Sequence, residues 1–441
     1  MQAPATLSFR QALAFWLKLG FISFGGPAGQ IALMHTELVE RRRWISEKRF
    51  LHALNYCMLL PGPEAQQLAT YIGWLMHRSW GGIVAGALFV LPSLLILILL
   101  SWIYLAWGHL PVVAGIFYGI KPAVTALVLH AAHRIGTRAL KNGWLWGIAL
   151  AAFVGIFALK LPFPLIVLAA ALLGHVGGRR WPQVFVLGSA HGAAHASYGP
   201  ALIDDDTPTP PHARFSRRRL ARVLLVGLAL WLAVFAALWL GSGLDKALTQ
   251  MGLFFTKAAL LTFGGAYAVL PYVYQGAVEH FQWLTPVQMI DGLALGETTP
   301  GPLIMVVAFV GFVAGWSQQV LGPESLLLGG VLAACVASFF TFLPSFVFIL
   351  AGGPLVEATH GNLKFTAPLT AITAAVVGVI VNLALFFAYH VLWPQGLGGR
   401  FDGVSALIAI GALLALFRYK LGVMPVLGAC ALLGLALTAL G

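Results

Sequence analysis

Long apolar runs separated by short polar loops make up almost the whole chain of 441 residues. Apolar runs of about 17 to 25 residues are long enough to cross a membrane as helices. The pattern predicts six such segments in the first half, at residues 9–34, 52–76, 82–107, 112–133, 143–159 and 161–177. It predicts six more in the second half, at residues 251–275, 289–315, 325–351, 367–391, 403–417 and 422–440. One further segment, residues 220–241, connects the halves, so we expect an all-α polytopic membrane protein.

Composition and charge support this class. The chain is 60% hydrophobic and only 9% charged, with a mean hydropathy of +0.89, whereas soluble domains carry about 25% charged residues. The net charge of +12 lies mostly in short loops, so we interpret it as an orientation signal and not as a nucleic-acid footprint. The three cysteines are isolated in apolar segments, which excludes a disulfide framework or a CxxC metal site.

One long stretch, residues 178–219, is not apolar. It contains clustered prolines, acids and arginines together with His191 and His195, a composition that suits a solvated linker on the cytoplasmic side. The predicted organisation is a transporter repeat at 1–177, the linker at 178–219, a connecting transmembrane helix at 220–241 and a second repeat at 242–441.

Two motifs that contain helix breakers occur in both halves in the same register. A shift of 239 positions places Phe24-Gly25-Gly26 on Phe263-Gly264-Gly265 and Pro61-Gly62-Pro63 on Pro300-Gly301-Pro302. In lipid, backbone that leaves a helix needs partners in protein or in a water-filled cavity. An even number of crossings in each half, with one helix between the halves, gives inverted repeats, which are typical of secondary transporters.

The basic residues predict orientation with one conflict. If the linker lies in the cytoplasm, two full crossings before it place the basic loop Arg41–Arg43 outside, against the positive-inside rule. The conflict disappears if the FGG and PGP segments are re-entrant hairpins that turn back at their breakers. We prefer that interpretation, and fully crossing segments are the alternative.

Four motifs carry a resemblance to a known family. FGGPAGQIALMHTELVERRRWISEKRF and LPGPEAQQLATYIG in the first half, with FGGAYAVLPYV and ETTPGPL in the second, resemble the chromate ion transporter family in its long, two-domain form. The resemblance covers the whole chain apart from the linker. It implies thirteen segments with opposed halves and export of chromate across the inner membrane of a bacterium, energised by the proton gradient and conferring chromate resistance. Sulfate is the look-alike oxyanion.

A tetrahedral dianion needs hydrogen-bond donors and positive potential, which the N-termini of broken helices supply. The breaker residues are therefore the predicted substrate-binding positions. They are Gly25, Gly26, Pro61, Gly62, Pro63, Gly264, Gly265, Pro300, Gly301 and Pro302. The alternative is that the glycines only permit close helix packing.

Three lysines in apolar segments are further candidates for binding the anion. Lys18 and Lys257 occupy equivalent positions, each seven residues before the first glycine of the FGG motif in sequence, and Lys121 precedes Pro122. A lysine at the bilayer centre costs roughly 2.5 to 3.5 kcal/mol, so its presence in both copies suggests a function. The alternative is that Lys18 and Lys257 extend to the interface.

Glu64 and Glu297 flank the two PGP motifs and are the predicted proton-coupling residues. A carboxyl group in an apolar cavity that contains cations can exchange a proton as the anion moves. The alternative is a helix cap, because a carboxylate stabilises the first turn of a helix. Asp291 looks structural.

Other functions stay open at this point. The cargo can be sulfate, molybdate or another oxyanion, because backbone donors and lysines recognise charge and shape. A channel, or a membrane-embedded enzyme acting on a lipid phosphate, is a more remote alternative; no catalytic residue, metal site or cofactor is predicted, and no nucleotide-binding motif occurs. The expected partners are the oxyanion, protons and the lipid bilayer, with no nucleic acid; a homodimer is compatible with the pattern.

Overall fold

The computed structural model describes residues 7–185, 198–244, 246–359 and 366–440. Within these ranges the chain is helical and contains no strand, only one isolated β-bridge. Six helices are long and apolar enough to cross a membrane. The prediction of an all-α polytopic membrane protein is confirmed. Part of the predicted linker, including His191 and His195, lies outside the described residues.

The helices follow the predicted order. The first half contains α1 (Phe9–Ile22), α2 (Gly26–His35), α3 (Glu47–Cys57), α4 (Glu64–Trp107), α5 (Pro111–Ala139), α6 (Gly143–Phe157), α7 (Phe163–Arg180) and the short α8 (Pro182–Phe185). The connecting helix is α9 (Arg217–Ser242). The second half contains α10 (Ala247–Leu261), α11 (Ala266–Tyr274), α12 (Pro286–Thr298), α13 (Val306–Ser317), α14 (Leu326–Thr359), α15 (Thr366–Leu392), α16 (Gly403–Phe417) and α17 (Val423–Leu440).

Each FGG motif divides a predicted segment into two helices. Gly25 and Gly264 have φ values of 89° and 80°, a backbone conformation that glycine adopts without steric cost. The chain then folds back: the Phe254 ring of α10 stacks 5.0 Å from the Tyr272 ring of α11 and lies 5.6 Å from Trp283. We call α1–α2 and α10–α11 the FGG hairpins.

The PGP motifs form the tips of a second pair of hairpins. Gly292 of α12 packs against the Phe309 ring of α13, and Gly296 faces Val306, so these helices run antiparallel. Helix α12 has 13 residues and is about 20 Å long, which is too short to cross a hydrocarbon core of about 30 Å. We call α12–α13 and α3 with the first arm of α4 the PGP hairpins.

Helix α4 consists of two arms. His77 and Arg78 have non-helical backbone angles, and the chain reverses there, because Gly73 packs against the Gly81 carbonyl and Ala85. The second arm of α4 begins at residue 79 and is a long helix, as is α14. Each of these two helices extends along the PGP hairpin of the other half. The two halves interlock further, since α5 packs against α16 and α17 while α15 packs against α6 and α7.

The equivalent positions of the two halves have the same local structure. A π-helix follows each FGG hairpin, at Thr36–Arg41 and at Gln275–His280. Arg43 and Gln282, which are 239 residues apart, both have a φ of 51°. The register found in the sequence therefore extends to unusual backbone conformations.

The described end of the linker packs on the first half. Ile203 forms a parallel β-bridge with Ile45, and the Leu202 N–H donates to the Arg43 carbonyl at 2.9 Å. Ile203 and Ala213 are buried, which differs from the solvated segment expected from charge and proline content. The contact also places the basic loop on the same side as the linker, as the re-entrant interpretation requires.

Candidate functional site

The tips of the four hairpins meet in two reciprocal contacts. The Gly62 N–H donates to the Thr262 carbonyl at 2.8 Å, and the Gly301 N–H donates to the Ser23 carbonyl at 2.8 Å. Each bond joins the PGP tip of one half to the FGG tip of the other. The tips are residues 23–26, 61–63, 262–265 and 300–302, and we call them together the crossing.

Two buried serines pack against the PGP tips. Ser93 follows Pro92 on α4, and Ser345 follows Pro344 on α14. A Cβ atom on Gly62 would lie 2.4 Å from the Ser345 Oγ, and one on Gly301 would lie 2.9 Å from the Ser93 Cβ. The backbone approaches each serine so closely that only glycine fits.

Buried amides support the same tips. The Gln30 Nε2 donates to the Ser23 carbonyl at 3.2 Å and to the Gly301 carbonyl, while the Gln67 Nε2 donates to the Pro61 carbonyl at 2.8 Å. Several buried polar atoms here have no hydrogen-bond partner among the described residues: Gln30 Oε1, Gln67 Oε1, Glu64 Oε2 and Ser93 Oγ. Buried polar groups are normally paired, so such a cluster marks a candidate site for a polar ligand or a proton.

Two helix N-termini at the crossing can bind an anion. Helix α2 begins at Gly26, the last residue of the first FGG motif, and α11 begins at Ala266, directly after the second; neither has a side-chain cap. Gly25 and Gly264 are exposed, whereas the first turn of α11, from Ala266 to Val269, is buried, and the Ala268 N–H donates to the Gly265 carbonyl at 3.0 Å. Free N–H groups and the helix dipole both favour negative charge. The N–H groups of Gly62 and Gly301, in contrast, are already used in the reciprocal contacts.

The two predicted carboxyl groups differ in their surroundings. Glu64 is 8% exposed, and its Oε1 would lie 3.5 Å from a Cβ atom on Gly265, so it faces the FGG tip of the other half. Glu297 accepts a hydrogen bond from the Tyr267 hydroxyl, and Arg134 is within electrostatic range. Glu64 therefore belongs to the crossing. Glu297 lies beside the crossing, and its carboxyl group already accepts a hydrogen bond from Tyr267.

Lys121 does not stand alone in its apolar segment. Its Nζ lies 3.5 Å from the Asp291 Oδ2, which also accepts a hydrogen bond from the Tyr104 hydroxyl at 2.8 Å. Asp291 is 1% exposed. This ion pair joins α5 of the first half to α12 of the second, a connection that the sequence did not reveal.

Lys18 and Lys257 lie away from the buried crossing. Both side chains are exposed and have exposed apolar neighbours on the same helix. The neighbours are Leu17 and Phe21 for Lys18, and Leu253 and Leu260 for Lys257. Exposed cations act on an anion mainly through long-range attraction. We therefore expect any contribution of these lysines to be long-range attraction of the anion toward the FGG tips.

We expect the double variant Lys18→Ala with Lys257→Ala to raise the KM for anion transport several-fold and to change the maximal flux less than twofold, because only the local anion concentration falls. Reconstituted flux over a range of anion concentrations measures both quantities. Lys160→Ala with Lys420→Ala is the matched control, since both lysines are exposed in equivalent turns. An unchanged KM would assign Lys18 and Lys257 to the lipid interface.

Sequence reasoning missed the supporting polar residues of the crossing. Ser93 and Ser345 were signalled by the sequence LPS, which occurs in both halves. Gln30 and Gln67 have no glutamine at the equivalent positions, so no repeat signal marked them. Their role depends on contacts between the halves.

The fold and the crossing define a class: a polytopic membrane transport protein whose broken helices meet around buried polar groups. The sequence model of the chromate transporter family matches residues 10–175 and 249–435, and the chain belongs to this family. The two matched ranges correspond to the two halves, with the linker between them.

Individual relatives agree with this assignment. A chromate transport protein of Pseudomonas aeruginosa is 33% identical over 437 residues, which are 98% of this chain and 93% of that protein. A chromate transport protein of Cupriavidus metallidurans is 30% identical over 434 residues, with the same coverage. The uncharacterized transporter YwrA of Bacillus subtilis is 29% identical over 165 residues, which are 37% of this chain but 92% of that protein. No solved structure matches the chain.

Proposed function

We propose that this protein is a secondary active transporter that exports chromate from the cytoplasm across the bacterial inner membrane, driven by the proton gradient, and thereby confers chromate resistance. The observation that carries the transport mechanism is the reciprocal contact of the four hairpin tips, because a site built at a repeat interface suits alternating access. The identity of the cargo is supported by the names of the relatives and by the family.

We further propose that the halves are inverted in the membrane, with the linker in the cytoplasm. The second arm of α4 starts at the base of the first PGP hairpin and ends with Tyr104 beside Asp291 of the second hairpin. Helix α14 starts beside α13 and ends with Glu357 beside Arg49 of the first hairpin. Helices of about 40 to 50 Å separate the two hairpin bases, which favours entry from opposite faces.

In this mechanism the dianion binds at the first turns of α2 and α11, where N-termini without a side-chain cap and the helix dipoles attract it. The PGP tips hold the two FGG tips at the correct distance. Glu64 and Glu297 exchange the coupled proton, and Glu64 faces the FGG tip directly. Sulfate has the same charge and shape as chromate, so it is the expected competitor.

The test is chromate flux into proteoliposomes with and without an imposed pH gradient. We expect flux that follows the gradient, is inhibited by sulfate, and falls to the level of protein-free liposomes when a protonophore removes the gradient. If sulfate or molybdate moves and chromate does not, the architecture is retained and the cargo is wrong. Chromate flux that does not depend on the pH gradient would indicate a channel. If no oxyanion is transported, the alternative of a membrane-embedded enzyme is favoured.

A further inference from the structure

Among the residues that the structure describes, two ion pairs connect the halves outside the crossing. In the first, the Arg49 Nη1 on α3 lies 3.6 Å from the Glu357 Oε2 on α14. In the second, the Lys121 Nζ on α5 lies 3.5 Å from the Asp291 Oδ2 on α12. In both pairs the cation comes from the first half and the carboxylate from the second.

The two pairs are built in the same way. A tyrosine of α4 donates to each carboxylate: Tyr71 in its first arm to Glu357, and Tyr104 in its second arm to Asp291. Both carboxylates are more than nine-tenths buried, with side-chain exposures of 8% and 2%. Buried charges are costly unless paired, so each pair holds its hairpin to the other half.

The pairs occupy related places in the two repeats. His52 is 239 residues before Asp291, and its Nε2 contacts the Val356 carbonyl, the neighbour of Glu357. Val356 has the same offset from Pro344 that Tyr104 has from Pro92. The two ion pairs therefore lie close to equivalent positions of the two PGP hairpins, although Arg49 and Glu357 are not themselves the counterparts of Asp291 and Tyr104.

The pairs also lie on opposite sides of the crossing. Arg49 is on the first PGP hairpin near the linker, because it also donates to the Thr207 carbonyl. Asp291 is on the second PGP hairpin, and helix α14, about 50 Å long, connects the base of that hairpin to Glu357. Each pair therefore holds the PGP hairpin on its own side of the crossing to the other half.

We propose that these ion pairs are the two gates of the transport pathway: Arg49–Glu357 closes the linker side and Lys121–Asp291 closes the opposite side, and they open alternately. This inference rests on the proposed transport function. Opening one gate needs only the release of one cross-repeat pair, while the reciprocal contacts at the crossing stay in place. Both pairs are formed in this structure.

The experiment reads access to the crossing from each face. A single cysteine, Ser93→Cys, is introduced beside the Gly301 tip after Cys57, Cys335 and Cys430 are changed to alanine. Sealed vesicles of known orientation receive a membrane-impermeant maleimide on one face. We expect Arg49→Met to raise the labelling rate on the order of tenfold from the linker face only, and Lys121→Met to raise it similarly from the opposite face only.

Two controls separate gating from loosened packing. Arg41→Met removes a surface cation at the end of the π-helix before α3, where Arg41 pairs with Glu37 of the same π-helix, and it should leave labelling unchanged. The charge-inverted double variant Arg49→Glu with Glu357→Arg should restore slow labelling, because it rebuilds the pair. If the labelling rate rises equally from both faces, or from neither face, the proposal that the two ion pairs are gates is wrong.

Failure of the gates and failure of the proposed function give different results, because labelling needs no anion. If labelling depends on the face but the protein moves no chromate, the assignment of chromate as the cargo is wrong and the gate proposal is retained. If the protein moves chromate but labelling does not depend on the face, the gate proposal is wrong and the proposed transport function is retained.

Discussion

Gly62→Ala and Gly301→Ala should each reduce anion flux at least tenfold, and the double variant should have no measurable flux. At each position φ lies in the region that favours glycine, 127° and 98°, and the new Cβ would meet Ser345 or Ser93 at less than 3 Å. Strain of about 1 to 3 kcal/mol at each tip would shift the N–H that joins the halves. Initial flux per reconstituted protein measures the effect.

The control is Gly322→Ala. Gly322 has a φ of 87°, but no atom lies within 4 Å of the position of its Cβ, so the substitution has backbone strain without a clash. We expect this variant to keep most of the wild-type flux. If Gly62→Ala transports as well as Gly322→Ala, the tight contact at the crossing is not needed for transport, and the PGP glycines are packing residues only.

The hairpins could be predicted from the sequence because their determinants are local. A glycine pair or a PGP inside an apolar run breaks a helix wherever it lies. Because both motifs occur again after the same shift of 239 positions, their occurrence is not a coincidence. The re-entrant interpretation followed from the charges of a single loop, Arg41–Arg43. The Leu202 N–H donates to the Arg43 carbonyl, so the loop and the linker lie together, as the interpretation requires, and the interpretation itself stays a prediction.

The contacts across the repeats could not be predicted in the same way. Gly62 and Thr262 are 200 residues apart, and the pattern of either half contains no information on which tip of the other it meets. Asp291 looked structural because its partner, Lys121, lies on a helix of the other half. The docking of the linker could not be predicted for a related reason: some of its apolar residues, such as Ile203, are buried by a surface that only the folded hairpins create.

Glu64→Gln should separate anion exchange from proton coupling. Glutamine has the shape of a protonated glutamate but cannot release a proton, and Glu64 is buried at the crossing with one oxygen unpartnered. We expect chromate exchange, measured with labelled chromate on one side and unlabelled on the other, to stay within about threefold of the wild type. Net flux driven by a pH gradient should fall at least tenfold, because no coupled proton moves.

Glu324→Gln is the matched control, since Glu324 is exposed in the turn before α14, and it should leave both fluxes unchanged. Glu297→Gln tests the second predicted carboxyl group, which already accepts a hydrogen bond from Tyr267. If Glu64→Gln lowers exchange and net flux by the same factor, Glu64 contributes to the structure of the α4 N-terminus and does not carry the coupled proton. If only Glu297→Gln separates exchange from net flux, the proton moves beside the crossing and not through it.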